Sequence, residues 1–310
     1  RHENPPAPQT ELLDCLLDLI HHHGHRIPLT RPTSESYGRC LANEVPRPTV
    51  NSTRQTPAPP PPPGPDDPVA GWPLYWSERR GTDLAIRDED RALTWHAFEQ
   101  RIAQAAGALQ EGGIQEGDRI GLLLGNRTAY LELFFAAARL GAIMMPINSR
   151  LTAHEIAFQL GDCRPACLIH EQSWSPLVDA SLDLSEHRPR EIWSVGGESD
   201  EYETRLADAA PMTASRKTDP EDPMILMYTS GTTGSPKGAL LPARKVFYNS
   251  ANAGLYFANG PEDRVLVAAP LFHSLALQIL ALPIMRAGGG LVLQSGFDPA
   301  RVWDAVDEFG

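Results

Sequence analysis

The chain has 310 residues, is 42% hydrophobic and carries a formal net charge of −12. It can therefore build one large cored domain or two ordinary ones, and nucleic acid, whose phosphates want a basic face, is excluded as a general partner. Four cysteines are too few for a disulfide scaffold at this length. Cys163 and Cys167 lack a second Cys/His pair at zinc-site spacing, so they read as reduced structural thiols. No apolar run reaches the length of a transmembrane span and no signal-peptide core opens the chain, so the expected compartment is the cytoplasm.

Residues 1–65 differ in composition from the rest. Apolar residues at 12, 13, 16, 17, 19 and 20 suit a short amphipathic helix. His21, His22, His23 and His25 follow with no acidic or cysteine partner, which favours a solvated tail over a metal site. The proline run 57–65 can form neither helix nor ladder. It is expected to be a polyproline II spacer of roughly 3 Å per residue, and a domain boundary is placed there. The leader 1–65 is expected to be largely disordered and its role is unassigned.

From Asp66 the pattern becomes globular. Thr94 is an N-cap followed by one apolar helical face at Phe98, Ile102, Ala105, Ala106 and Leu109, ended by Gly112-Gly113. Apolar strands are predicted at 120–124, 142–145 and 166–169, with a helix over 129–140 stopped by Gly141. A second helix opens at the capping box Thr152-Ala153-His154-Glu155. This alternation of strands and helices predicts an α/β fold with a mainly parallel sheet covered on both faces. Residues 171–222 are polar apart from a strand at 192–195. They read as the crossing from a first sheet region, 71–222, to a second, 223–310.

The second region opens on Met224-Ile225-Leu226-Met227, a buried strand, and runs into Tyr228-Thr229-Ser230-Gly231-Thr232-Thr233-Gly234-Ser235-Pro236-Lys237-Gly238. Glycines let this backbone turn tightly and approach a ligand. Hydroxyls, free N–H groups and one lysine suit a polyphosphate. It is not a Walker A loop, because Pro236 precedes the lysine. Nor is it a nucleophile elbow around Ser230, because position 228 is Tyr. After it come a helix over 246–257, a strand over 264–269, Pro270-Leu271-Phe272-His273, a helix over 274–286, a strand at 291–293 and a final helix opened by Asp298-Pro299.

The loop resembles the phosphate-binding signature of the adenylate-forming superfamily, which includes acyl-CoA synthetases, peptide-synthetase adenylation domains and luciferases. The resemblance covers about 71–310. It implies two stacked, mainly parallel sheets with helices on their faces, and ATP and Mg2+ as cofactors. It also implies a small carboxylic acid as substrate and CoA as co-substrate. Thr229, Ser230, Gly231, Thr232, Thr233, Gly234 and Lys237 would hold the phosphates, and His273 would border the acyl pocket. On its own His273 reads equally as a core histidine, and apolar Leu275, Ala276, Leu277, Ile279 and Leu280 suit an acyl channel or ordinary packing. No residue is assigned a catalytic or metal-ligand role. The signature departs after Gly238: Leu241-Pro242-Ala243-Arg244 lacks the histidine that usually follows. The family's ribose, metal and second-domain lysine contacts lie beyond the part resembled here. The expectation is thus the front part of a carboxylic-acid–CoA ligase, inactive alone. The alternatives are an adenylation domain loading a carrier protein, or a non-catalytic truncated relative.

Overall fold

The computed structural model describes residues 59–198, 200–229 and 235–309. The expected leader helix, the histidine tract and the start of the proline run lie outside the described residues, as do Ser230, Gly231, Thr232, Thr233 and Gly234. The end of the proline run, 59–65, has no helix or strand, and Pro63 is buried. Tyr75 donates its hydroxyl to the Pro61 carbonyl at 2.6 Å, so this end of the run is held on the folded body.

That body begins with α1 (Trp72–Arg80), β1 (Leu84–Arg87), β2 (Ala92–Thr94) and α2 (Trp95–Glu111). Thr94 caps α2 by accepting the Ala97 N–H, as its hydroxyl predicts. Next come β3 (Arg119–Leu123), α3 (Thr128–Leu140) and β4 (Ile143–Pro146). Gly141 ends α3 at φ 73°, a left-handed conformation that glycine adopts without a Cβ penalty. In α4 (Ala153–Cys163) the predicted capping box is complete: Thr152 Oγ1 accepts the Glu155 N–H, and Glu155 Oε2 accepts the Thr152 N–H at 2.8 Å.

The predicted strand at 166–169 is β5 (Cys167–Glu171), and the polar stretch that reads as a crossing contains α5 (Ser175–Leu184), β6 (Glu191–Val195) and α6 (Glu201–Asp208). The remainder is β7 (Pro223–Thr229), β8 (Lys237–Pro242), α7 (Ala243–Tyr256), β9 (Arg264–Val267), a π-helical segment (Leu275–Ala281), α8 (Leu282–Ala287), β10 (Gly290–Leu293) and α9 (Pro299–Phe309).

These strands form a six-stranded sheet ordered β6-β5-β3-β4-β7-β8 and a four-stranded sheet ordered β2-β1-β10-β9. Six of the neighbouring pairs are parallel, and only β1–β2 and β7–β8 are antiparallel. The α/β class and the mainly parallel sheets are as expected. The division at 222/223 is not. β7 pairs with β4, Met144 opposite Ile225, inside the first sheet. The second sheet joins β1 to β10, with Ile86 opposite Leu291, 205 positions away in sequence. An apolar run specifies that a strand is buried on both faces. It does not specify which neighbour completes its hydrogen bonds, so sequence order misassigned β7.

Helix α2 packs on β1 and β2 and against α3, which in turn packs on β4, so the two helices lie between the sheets. Four tryptophans, Trp72, Trp76, Trp95 and Trp193, are fully buried. Cys163 and Cys167 are buried free thiols. Burial pushes the Cys163 thiol up to about 11 and raises Cys167 further, so both stay protonated and inert. Among the described residues no helix is long and apolar enough to cross a membrane.

Candidate functional site

Parallel strands point their carboxyl ends to one edge, and open α/β sheets bind ligands there. Here Pro146 ends β4, Thr229 ends β7 and the segment leading to His273 follows β9. All three border one cleft of about 370 Å3, whose walls also include Gln159, Lys245, Asn249 and Gln278.

The phosphate-loop candidate is the connection between β7 and β8. These strands pair antiparallel, Met227 opposite Ala239 and Thr229 opposite Lys237. Strand side chains alternate between faces. The face carrying Met227 and Thr229 on β7 and Ala239 and Leu241 on β8 lines the cleft, and Lys237 shares it. Thr229 Oγ1 sits 3.5 Å from the Lys237 carbonyl, closing the mouth of the loop. Lys237 is exposed and carries no ion pair among the described residues. A Cβ at Gly238 would stand 2.8 Å from the Leu226 Cδ1 methyl, the far end of a side chain that would have to turn aside.

On the opposite face Tyr228 donates its hydroxyl to Asp162 Oδ2 at 2.6 Å. Burial, reinforced by that carboxylate, raises the phenol well above its usual range, so Tyr228 is a fixed anchor for the strand and not a titrating group.

His273 ends a tight turn, its N–H donating to the Pro270 carbonyl at 3.0 Å. The ring is exposed toward the cleft and Nδ1 accepts the Leu275 N–H at 3.3 Å. In the neutral imidazole the proton is then on Nε2, a donor available to a ligand. The expected helix over 274–286 is interrupted: 275–281 is π-helical and only Leu282–Ala287 is α-helical. The wider turn suits a cleft wall. Asn249 Nδ2 donates to the Gln278 carbonyl at 2.7 Å and Gln278 Nε2 approaches Met227 Sδ at 3.1 Å, which ties α7, the π-helical segment and β7 together. Of the apolar residues considered for a channel, Ala276 and Leu277 are buried in the core and Leu275 is exposed; packing accounts for the first two.

The structure therefore brings Thr229 and His273 into one cleft and sets Lys237 beside it. Sequence reasoning missed Gln159, Lys245, Asn249 and Gln278. Their spacing is that of ordinary helix residues, and only the pairing of β4 with β7 gathers them. In the segment 241–244, which lacks the family's usual histidine, Ala243 is buried, its N–H donating to the Asp222 carbonyl at 2.9 Å.

A larger hollow, about 570 Å3, contains Arg139 and Arg216 but none of the predicted residues. Arg139 is paired with Glu99, and Arg216 with Asp222 and Glu116, so their charges are already matched. Among the described residues no group of three or more His, Cys, Asp or Glu side chains is placed to hold a metal ion. Mg2+ that arrives with ATP is held mainly by phosphates and water and needs no such group, and no step is assigned to it.

A loop of glycines and hydroxyls on a hairpin at the carboxyl edge of a parallel sheet defines the N-terminal portion of an adenylate-forming α/β fold. The chain belongs to the AMP-binding enzyme family, whose sequence model matches residues 75–310. It is 35% identical over 240 residues to the feruloyl-CoA synthase of an Amycolatopsis species, covering 77% of this chain and 46% of that enzyme. Against the indoleacetate–CoA ligase of Aromatoleum aromaticum the identity is 32% over 234 residues, covering 72% and 44%. The inhibitor-bound N-terminal domain of FACL13 from Mycobacterium tuberculosis superposes with a TM-score of 0.70 at 28% identity, over 78% of this chain and 60% of that one. The chain spans about half the length of the curated relatives it matches.

Proposed function

We propose that this chain is the ATP- and acid-binding part of a ligase that joins an aromatic carboxylic acid to CoA. The observation that carries this reading is the single cleft lined both by Thr229, at the mouth of the glycine–hydroxyl loop, and by His273. In the reaction a carboxylate oxygen attacks the α-phosphorus of ATP, the bond to the β-phosphate oxygen breaks, and pyrophosphate leaves. The CoA sulfur then attacks the acyl carbonyl, the thiol proton passes to solvent, and AMP departs.

Thr229, Lys237 and the loop they enclose would bind the departing phosphates. Backbone amides and hydroxyls suit the oxyanions, and the lysine adds a charge-assisted contact. The Nε2–H of His273 would face the acid. The apolar surface of Met227, Leu241 and Phe272, interrupted by carboxamides, suits a flat ring carrying polar substituents. Similarity to enzymes named for feruloyl and indoleacetyl transfer to CoA supports both an aromatic acid and CoA as the acceptor.

The test is a calorimetric titration of the chain with Mg-ATP and, separately, with ferulate and indole-3-acetate. A lost charge-assisted contact is worth about 1.5–3 kcal/mol, so Lys237→Ala should weaken Mg-ATP about tenfold to a hundredfold and leave acid binding unchanged. Identical Mg-ATP isotherms for the two proteins would overturn the phosphate role.

A further inference from the structure

We infer that Asn126 is a positioning residue for His273: its buried carboxamide, on the loop that leaves β3 in the first sheet, fixes the chain segment that delivers the imidazole to the cleft from the second sheet. The inference rests on the reading of that cleft as the acid site.

Asn126 satisfies backbone groups at the ends of two strands of the second sheet, β9 and β10. Its Nδ2 donates to the carbonyls of Ala269 and Gln294, each at 2.9 Å, with Val267 O further away at 3.5 Å. Its Oδ1 accepts the Leu271 N–H at 2.8 Å. Val267 ends β9, and Gln294 directly follows β10. Ala269 and Leu271 flank Pro270, whose own carbonyl accepts the His273 N–H. The carboxamide thus clamps 269–271 from the inside, and the next hydrogen bond in the segment is the turn that aims His273.

Only a primary amide does this. It offers two N–H donors and one carbonyl acceptor in a plane, and this site presents two close carbonyls and one N–H. A carboxylate would face carbonyl oxygens with no hydrogen to give. A hydroxyl has one hydrogen to give and leaves at least one of the two carbonyls unbonded. Asn126 is 8% exposed, so partners left behind would be cut off from water as well as unbonded. The loop is itself fixed on either side. Gly125 N–H donates to Glu171 Oε1 at 3.1 Å and Thr128 N–H to Asp88 Oδ2 at 2.7 Å, so the carboxamide is held at both ends of its segment. Nothing in the sequence marks Asn126, because its partners lie more than 140 positions away.

The test uses the 310-residue chain labelled with 15N at histidine, with the His273 resonances assigned by a His273→Gln variant. Nδ1 acting as an acceptor predicts one tautomer and a single sharp Nε2–H environment. Asn126→Asp and Asn126→Ala should shift and broaden the His273 signals while leaving those of His170, which sits on β5, in place. Asn126→Ser, which can keep at most two of the three partners, is the variant to use if those two do not fold, and it should shift His273 less. Ile102→Val, a core change in α2, is the stability control and should leave His273 untouched. His273 signals that coincide in the Asn126 variants and the unchanged chain overturn the inference, as do shifts equal to those of Ile102→Val. A second arm titrates ferulate: affinity should fall at least tenfold in the Asn126 variants, and an unchanged affinity overturns the inference. If the unchanged chain binds no ferulate, the reading of the cleft fails, and the His273 resonances alone decide the role of Asn126.

Discussion

Strands β3 and β8 belong to the same sheet and have opposite surroundings. β3 lies between β4 and β5, and Ile120, Gly121, Leu122 and Leu123 are all buried. β8 is the outermost strand, bonded only to β7, and its first four residues are exposed. The candidate phosphate loop connects β7 to β8, so one of its ends is a strand of the second kind. A loop that must admit a polyphosphate needs backbone N–H groups free of tertiary partners. Such groups occur where packing is thin, next to a scaffold rigid enough to hold the loop's ends. The contrast can be broken or sharpened by substitutions that should act on one region only.

The largest effect is expected in the buried layer behind the first sheet. Glu132 on α3 is fully buried and accepts Arg101 Nε at 2.7 Å and the Tyr202 hydroxyl at 2.8 Å. Burial alone would depress the Arg101 guanidinium, but the carboxylates of Glu132 and Glu203 outweigh it and raise it. Removing one partner of a buried ion pair costs about 3–5 kcal/mol. Urea denaturation of Glu132→Ala should show a loss of that size. A loss below about 1 kcal/mol would mean that the interior tolerates change as the edge does.

Next is the direct comparison of strands. Leu122 is 0% exposed on β3 and Leu240 is 57% exposed on β8. Leu122→Ala should cost about 2–5 kcal/mol, transfer and cavity together. Leu240→Ala should stay within about 0.5 kcal/mol. Equal losses in the same denaturation experiment would erase the distinction between core and edge. Lys237→Ala tests the same edge by function: it should lower Mg-ATP affinity yet move the melting temperature by no more than about 2 °C.

The smallest effect is local and depends on pH. Hydrogen bonds from the Thr152 backbone and side chain hold the exposed Glu155 carboxyl below its ordinary range. A folded-state value below the unfolded one gives a stabilisation that is present above the unfolded value, about pH 4.3. It is lost as pH falls through the folded value. The Thr152 amide should therefore lose protection, measured against the intrinsic exchange rate at the same pH, on acidification below about pH 4, fraying the start of α4. The same amide in Glu155→Gln should show no such dependence. An unchanged exchange profile between the two proteins would remove the carboxylate from the cap.

How much of this could be read from the chain depended on the range of the interaction. Thr94, Gly141 and the Thr152–Glu155 pair were legible because a cap involves atoms three or four residues apart. The strands at 120–124, 166–169 and 192–195 were legible because an apolar run bounded by turns is itself the signal. β8 was missed: Lys237-Gly238-Ala239-Leu240 is exposed, shows no alternation and is a strand only because β7 supplies its partners. α5 and α6 were missed because they are short and sit in a polar stretch. The π-helical turn at 275–281 was read as α-helix, since the apolar pattern of the two is the same over so few residues.

The sequence by itself determined the alternation of helices and strands over 94–169, the chemistry of the loop between Thr229 and Lys237, and His273 as a candidate beside it. These are properties of neighbouring residues, so composition and spacing express them. Tertiary structure alone decided that β7 completes the first sheet, that β1 reaches β10 to build the second, and that Lys245, Asn249, Gln159 and Gln278 share a wall with Thr229. It also decided that Asn126 holds the segment carrying His273. Parallel pairing joins strands across crossovers, and any buried apolar strand offers the same backbone donors and acceptors. The choice of partner is made by packing over the whole body, which no local pattern encodes.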